Sequence, residues 1–212
     1  MRVAIAGVGN CASALVQGVE YYKNAKEDTT VPGLMHVNYG GYHIRDIHFV
    51  AAFEVDKRKL GKDLGEAIFA GPNCCAKFAE VPNLNVKVLA SPILDGVAPH
   101  MREPFYVYDE KKMEPVNVTE VLREAEADMV INFMPVGSYE ATRHYAQAAI
   151  EADCAFASCI PEFIASDSVW SKKFEEKRLP VAGDDVKSQL GATILHRNLV
   201  KLCVDRGIEV EE

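Results

Sequence analysis

The chain has 212 residues, enough at roughly 100 to 200 residues per domain for one full domain and part of a second, which excludes a large multidomain machine. With 49% hydrophobic and 25% charged residues, 14 Gly and 10 Pro, it is neither disordered, collagen-like nor of low complexity. Lys and Arg number 23 against 31 Asp and Glu, a formal net charge of −8, so nonspecific attraction to nucleic acid or an anionic membrane is disfavoured and any anionic ligand has to be held locally.

Residues 2–6 (RVAIA) are a short β-branched run ending at Gly7, and residues 13–26 carry Leu15, Val16, Val19 and Tyr22 at helical spacing. The run 48–55 (HFVAAFEV) is apolar until its closing acids, as in a strand covered on both faces, and 57–69 reads as a helix. Residues 86–90 form a third strand, 117–125 a helix opened by an Asn117/Glu120 capping pair, and 128–133 a fourth strand. A helix over 138–152, a strand over 155–158 and an irregular stretch over 161–165 follow. Asp167 then caps a helix running to about 176, before a strand over 180–182 and a long helix over 186–204. The repeated β-then-α order predicts an α/β fold, a doubly wound parallel sheet with right-handed crossovers. Two segments interrupt it, 27–46 and 92–115. Both exceed the usual loop length of about 12 to 15 residues and contain aromatics, so they read as ordered, function-bearing insertions.

The strongest chemical signal is Gly7-Val8-Gly9-Asn10-Cys11-Ala12, a GxGxxA loop directly after the first strand. Gly7 permits the tight turn, Gly9 clears the approach of a diphosphate to the backbone, and Ala12 lets helix and strand pack closely. The helix start adds free N–H groups and partial positive charge, so an acidic protein gains a local anion site. An acid belongs at the end of the second strand, and Glu54 and Asp56 stand there, more than forty residues beyond Gly9 because of the first insertion. A carboxylate at this position favours NAD, while Lys57 and Arg58 leave NADP open.

The loop 132–138 (NFMPVGS) leaves the fourth strand where a doubly wound sheet binds its cofactor, which singles out Pro135, Val136, Gly137 and Ser138. The crossing 183–189 (GDDVKSQ) offers Asp184, Asp185, Lys187, Ser188 and Gln189 at a helix start, where adjacent acids also serve as plain caps. Six cysteines show neither a CxxC pair nor zinc spacing, and no signal-peptide pattern opens the chain, so reduced thiols and a cytoplasmic setting are expected. Cys11 reads as a small side chain filling a helix–strand contact. His36, His43 and His48 have no metal geometry, no metal is expected, and no apolar run is long enough to span a bilayer.

The blocks GVGNCASALVQGVEYYK, VPGLMHVNYGGYHIRDIHFVAAFEVD, SPILDG, MPVGS, PEFIASD and GDDVKSQLGATILHR, in order across nearly all of residues 1–204, resemble myo-inositol-1-phosphate synthase of the bacterial and archaeal type. The resemblance implies a Rossmann domain over 1–185, with 186–212 as a helix and strand leading into a truncated α+β catalytic and tetramerisation domain. It also implies a redox-neutral isomerisation of glucose 6-phosphate to inositol 1-phosphate for inositol biosynthesis. In that scheme NAD takes hydride from C5, the ketone acidifies C6 for ring closure onto C1, and NADH returns the hydride. Gly7 to Ala12, Glu54, Asp56, the loop from Pro135 to Ser138, and Asp184 with Asp185 would surround NAD. Ser188, Gln189 and Thr193 fall in a segment similar to the family's phosphate-binding turn, with Lys187 beside it. Asp184, Asp185 and Lys187 are the catalytic candidates within the chain, and a homo-oligomer, tetrameric in the complete enzyme, is the implied assembly.

Three departures stand out. The family's GGN-type block, its oxyanion-stabilising lysines and its tetramer-building sheet have no counterpart, which points to a truncated or split synthase able to bind cofactor but short of catalytic power. Glu54 stands where many relatives place Asp, and Glu162 enters an otherwise apolar stretch. A generic NAD(P) dehydrogenase and a noncatalytic dinucleotide-binding module are the other readings.

Overall fold

The computed structural model describes residues 1–27, 29–71, 73–103, 105–188 and 190–211. Its strands are β1 (Arg2–Ala6), β2 (Asn38–Tyr39), β3 (Tyr42–His43), β4 (His48–Glu54), β5 (Val88–Ala90), β6 (Met129–Asn132), β7 (Ala155–Ser158) and β8 (Val181–Ala182). Its helices are α1 (Asn10–Tyr22), α2 (Leu64–Ala67), α3 (Val118–Glu124), α4 (Tyr139–Glu151), α5 (Ser168–Lys177) and α6 (Ala192–Asp205). Six strands form one parallel sheet in the order β5-β4-β1-β6-β7-β8, the doubly wound arrangement expected. The chain leaves β1 toward β4 and β5, then returns to the other side through β6, β7 and β8. The reversal therefore lies between β1 and β6.

Alternation along the strands divides the core in two. Ala4 and Ala6 of β1 and Phe53 of β4 join α3, α4 and α5 through Leu122, Tyr145 and Phe174 on one face. Ile5 and Ala52 point the other way, onto Val16 of α1 and Leu64 and Ile68 around α2. On β1 the small Ala4 and Ala6 give room to the helices of one face, while Ile5 fills the space under α1 on the other.

Several elements differ from expectation for local reasons. The helix read over 57–69 shrinks to the single turn of α2, because the Asp56 carboxylate takes the Arg58 N–H in a tight turn and Gly61 adopts φ +78°. Asp63 then restarts the helix by accepting the Gly65 N–H at 2.9 Å. The long helix read over 186–204 begins only at Ala192, since Asp185 holds φ +75° and Gly191 is extended. The strand expected after it does not form among the described residues, where 206–211 have no neighbouring strand to pair with. Asn117 and Asp167 cap α3 and α5 as read.

The described residues of both insertions form defined turns and contacts. In the first, Gly40 and Gly41 at φ +60° and +86° close the β2–β3 hairpin, a turn that needs positive φ at both central positions. The second is fastened to the ends of β4 and β5: Tyr108 Oη donates to Ser91 O at 2.8 Å, and Asp56 pairs with Val107. Its Asp95 accepts the N–H groups of Glu140 and Ala141, both at 2.8 Å, and so caps α4 from 45 residues away in sequence. Asp95→Ala is expected to lower stability by about 1–2 kcal/mol in urea unfolding, because two helix-start donors lose their acceptor.

Candidate functional site

Strand register builds the site. Phe53, Ala6, Asn132 and Ser158 lie on one row across β4, β1, β6 and β7. The next residue of each strand, Glu54, Gly7, Phe133 and Cys159, lines a cavity of about 590 Å³ at the carboxyl rim, over the point where strand order reverses. Gly9, Asn10 and Cys11 at the start of α1 line it, with Asp56, Pro135, Val136 and Asp185. Among the described residues of the two insertions, Gly96, Val97 and Phe105 of the second line it.

The two glycines of the first loop sit in opposite surroundings. Gly7 adopts φ +88°, and a Cβ there would lie 2.9 Å from the Phe133 carbonyl oxygen, so the fold itself demands glycine. Gly9 has an ordinary φ of −101°, and a Cβ there would meet nothing within 4 Å. Nothing in the protein's own packing calls for glycine at position 9; the open space beside it suits a ligand that must touch the backbone. The amides at the start of α1 have no side-chain cap, which leaves donors for a diphosphate. These features fit the dinucleotide expected at this loop.

Ala12 faces the sheet, fully buried, rather than the cavity. Cys11, read as a packing residue, is corrected by the structure: it is exposed and lines the cavity, since Ala12 one position later takes the contact with the sheet. Cys159 faces the same space, and burial, with Cys11 and Asp185 nearby, pushes its thiol up to about 11, which keeps it protonated. Gly137, at φ +94°, and Ser138, whose Oγ donates to Pro135 O at 2.6 Å, shape the second loop without lining the cavity. Asn10 Oδ1 holds the Cys74 N–H at 2.9 Å.

The acids at the end of β4 are both engaged. Glu54 Oε2 accepts the Val8 N–H at 2.9 Å, while its Oε1 accepts the Val55 N–H at 2.7 Å and the Asp56 N–H at 3.3 Å. Asp56 is clamped by Arg58 through both carboxylate oxygens, and the Arg58 guanidinium lies 4.3 Å from the centre of the Tyr106 ring. Sequence reading passed over Lys59, which is 7% exposed and is the one cation lining the cavity among the described residues. A Lys two residues into a turn carries no signal of its own; only the fold carries it back over the glycine loop.

The segment 183–193 divides. Asp184 faces away from the cavity and accepts N–H groups from Ile164 at 3.0 Å, Ala165 at 3.0 Å and Ser166 at 2.9 Å, tying 164–166 to the end of β8. Burial alone pushes its carboxyl up, yet the donors Ile164, Ser166 and Ala165 outweigh it and hold the pKa below the ordinary carboxylate value. Asp185 lines the cavity with Val186, whereas Lys187, Ser188 and Thr193 are exposed beyond it, and Gln189 lies outside the described residues. Glu162, only 5% exposed, pairs with Arg143 at 3.0 Å, which accounts for an acid in that apolar stretch. His43 is taken up structurally, with Nε2 2.9 Å from Ala25 O and Nδ1 accepting the Arg45 N–H. Among the described residues no three His, Cys, Asp or Glu side chains gather as a metal site.

No protein-family model matches the chain. The chain is 56% identical over 211 residues to the inositol-3-phosphate synthase of Mycolicibacterium smegmatis, with 100% of this chain and 57% of that protein covered. The synthases of Corynebacterium glutamicum and Mycobacterium tuberculosis are each 54% identical at the same coverage. From end to end, this chain is similar to part of inositol-3-phosphate synthase. It spans 57% of these relatives' length, in keeping with the N-terminal part that the sequence blocks imply. Among solved structures, Ari2 matches with a TM-score of 0.80 at 34% identity over 98% of this chain and 60% of Ari2. A myo-inositol-1-phosphate synthase-related protein of Thermotoga maritima shares the fold, with a TM-score of 0.68 at 22% identity over 97% of this chain and 59% of its own.

The lowered pKa of Asp184 gives this synthase-like chain a pH signature. A depressed carboxylate contributes stability that is present above its unfolded value, about 4, and is lost as pH falls through the lower native value. Asp184→Asn is therefore expected to destabilise most at neutral pH, with the gap to wild type closing in urea unfolding below about pH 4.

Proposed function

We propose that this chain forms the NAD-binding part of an inositol-3-phosphate synthase, acting in the redox-neutral isomerisation of glucose 6-phosphate to 1D-myo-inositol 3-phosphate. The observation that carries this reading is the 56% identity along the whole chain, joined to a rim cavity whose Gly9 is unexplained by packing. Bound NAD would supply an acceptor and later a donor of hydride, leaving no net redox change. The chain's own residues would bind and orient it: amides at the start of α1 would hold the diphosphate, and Glu54 would serve the ribose. The Pro135–Val136 corner and Asp185 close the opposite side. Val97, Phe105, Phe133 and Ile160 furnish apolar walls that exclude water and strengthen polar contacts inside.

Ser188 and Thr193, with Gln189 and Lys187, are proposed for the sugar phosphate; Gly191 opens α6 without a side chain of its own to cap it. Asp184 is assigned a supporting role, since its oxygens hold 164–166, while Asp185 remains the acid beside the reacting centre. Oxyanion chemistry needs cations, and the cavity's Lys59 is already engaged, so full turnover is assigned to the portion of the relatives that this chain does not span. A homo-oligomer is proposed for the complete enzyme. Six free thiols fit a cytoplasmic setting, and no helix among the described residues is long and apolar enough to cross a membrane.

Calorimetric titration of the chain with NAD tests the reading. Gly9→Asp is expected to weaken binding about 100-fold or more with an unchanged unfolding midpoint, because the new side chain meets only cavity space and puts a carboxylate against the diphosphate. Glucose 6-phosphate with NAD should give inositol phosphate without NADH accumulation only where the catalytic portion is also present. Steady NADH formation would favour a dehydrogenase instead.

A further inference from the structure

Lys59 follows β4 by five residues and returns over the glycine loop, where its side chain is only 9% exposed. Nζ donates to Val8 O at 2.7 Å and lies 3.6 Å from Glu54 Oε2. Glu54 Oε2 in turn accepts the Val8 N–H at 2.9 Å. Both backbone polar groups of Val8 are thus held from one side, its carbonyl by the cation and its amide by the anion, and cation and anion hold one another. The ring joins the end of β4 to the residue between Gly7 and Gly9.

A buried ammonium is costly unless it is matched, and a Lys in a surface turn is ordinarily free to reach solvent. Here it is turned inward, onto the glycine loop proposed to meet the diphosphate. A glycine-rich loop has high conformational freedom when unsupported, so the two contacts on Val8 fix the direction of the amides that follow. The same ion pair keeps the Glu54 carboxylate against the loop, with Oε1 on the Val55 and Asp56 amides.

Resting on the dinucleotide reading of the cavity, we infer that Lys59 is a positioning residue for the coenzyme: it acts through Glu54 and Val8 to preset the glycine loop before ligand arrives. The part of its effect that runs through Glu54 is lost once Glu54 can no longer take part, while the direct bond to Val8 O persists, so the two substitutions couple, whereas an independent packing role adds to any other loss.

A double-mutant cycle on the full chain decides this, with NAD affinity read by calorimetry and folding by the thermal midpoint. Lys59→Met is expected to weaken NAD at least tenfold in the wild-type background and by a factor at least about threefold smaller in the Glu54→Gln background, where only the direct bond to Val8 O is left to lose. Lys59→Arg, which keeps charge and a donor, should stay within about threefold of wild type and guards against a Lys59→Met chain that fails to fold. Equal losses in both backgrounds, unaltered affinity in Lys59→Met, or a Lys59→Arg loss as large as that of Lys59→Met would overturn the positioning role while leaving the dinucleotide site in place. Absence of NAD binding by the wild-type chain would remove the site and this role together.

Discussion

Parallel pairing brings Phe53, Ala6, Asn132 and Ser158 onto one row, and the chain has to leave the sheet in four neighbouring places just beyond it. Because strand order reverses between β1 and β6, the loops after those two strands run to opposite faces and leave a crevice rather than crossing it. Gly7 is the tightest point of this arrangement. Its backbone passes so near the Phe133 carbonyl that any side chain would collide, so the first loop and the loop after β6 are locked together at the floor of the cavity.

Around that floor, charge is distributed locally rather than globally. A chain of net charge −8 presents at the end of β4 two cavity acids that are compensated at short range: Glu54 by amides and Lys59, Asp56 by Arg58. Compensation of this kind removes the repulsion that an acidic protein would otherwise exert on an anionic ligand within a Debye length of about 8 Å. Asp184 shows the same economy in another form, where one carboxylate gathers three consecutive amides and secures the loop beside the cavity.

The insertions serve different ends. The first forms a small hairpin remote from the cavity, with Met35 and Tyr39 exposed. The second is a wall. Asp95 fastens it to α4, Tyr108 fastens it to β5's end, and between those anchors Gly96, Val97 and Phe105 reach the cavity. A wall attached to helix start and sheet edge moves only when both attachments loosen, so its stability and the cavity's shape are the same property.

Much of this was legible in the residue order. Alternating apolar runs and caps marked strands and helices, Asn117 and Asp167 announced their helices, and GVGNCA after RVAIA announced the crevice, because these signals act over a few neighbouring residues. What residue order left open was decided by contacts far apart in sequence. Whether Cys11 packs or faces the ligand space depends on the rotation of α1 against the sheet, and whether Asp184 catalyses or braces depends on where residues 164–166 come to lie. Lys59 had no legible role at all, since its partners are 51 residues away at Val8 and on the preceding strand, and only the folded sheet brings them within reach. Local pattern determined the elements and the glycine loop; the close approach of distant segments, which no periodicity encodes, determined which side chains the cavity receives.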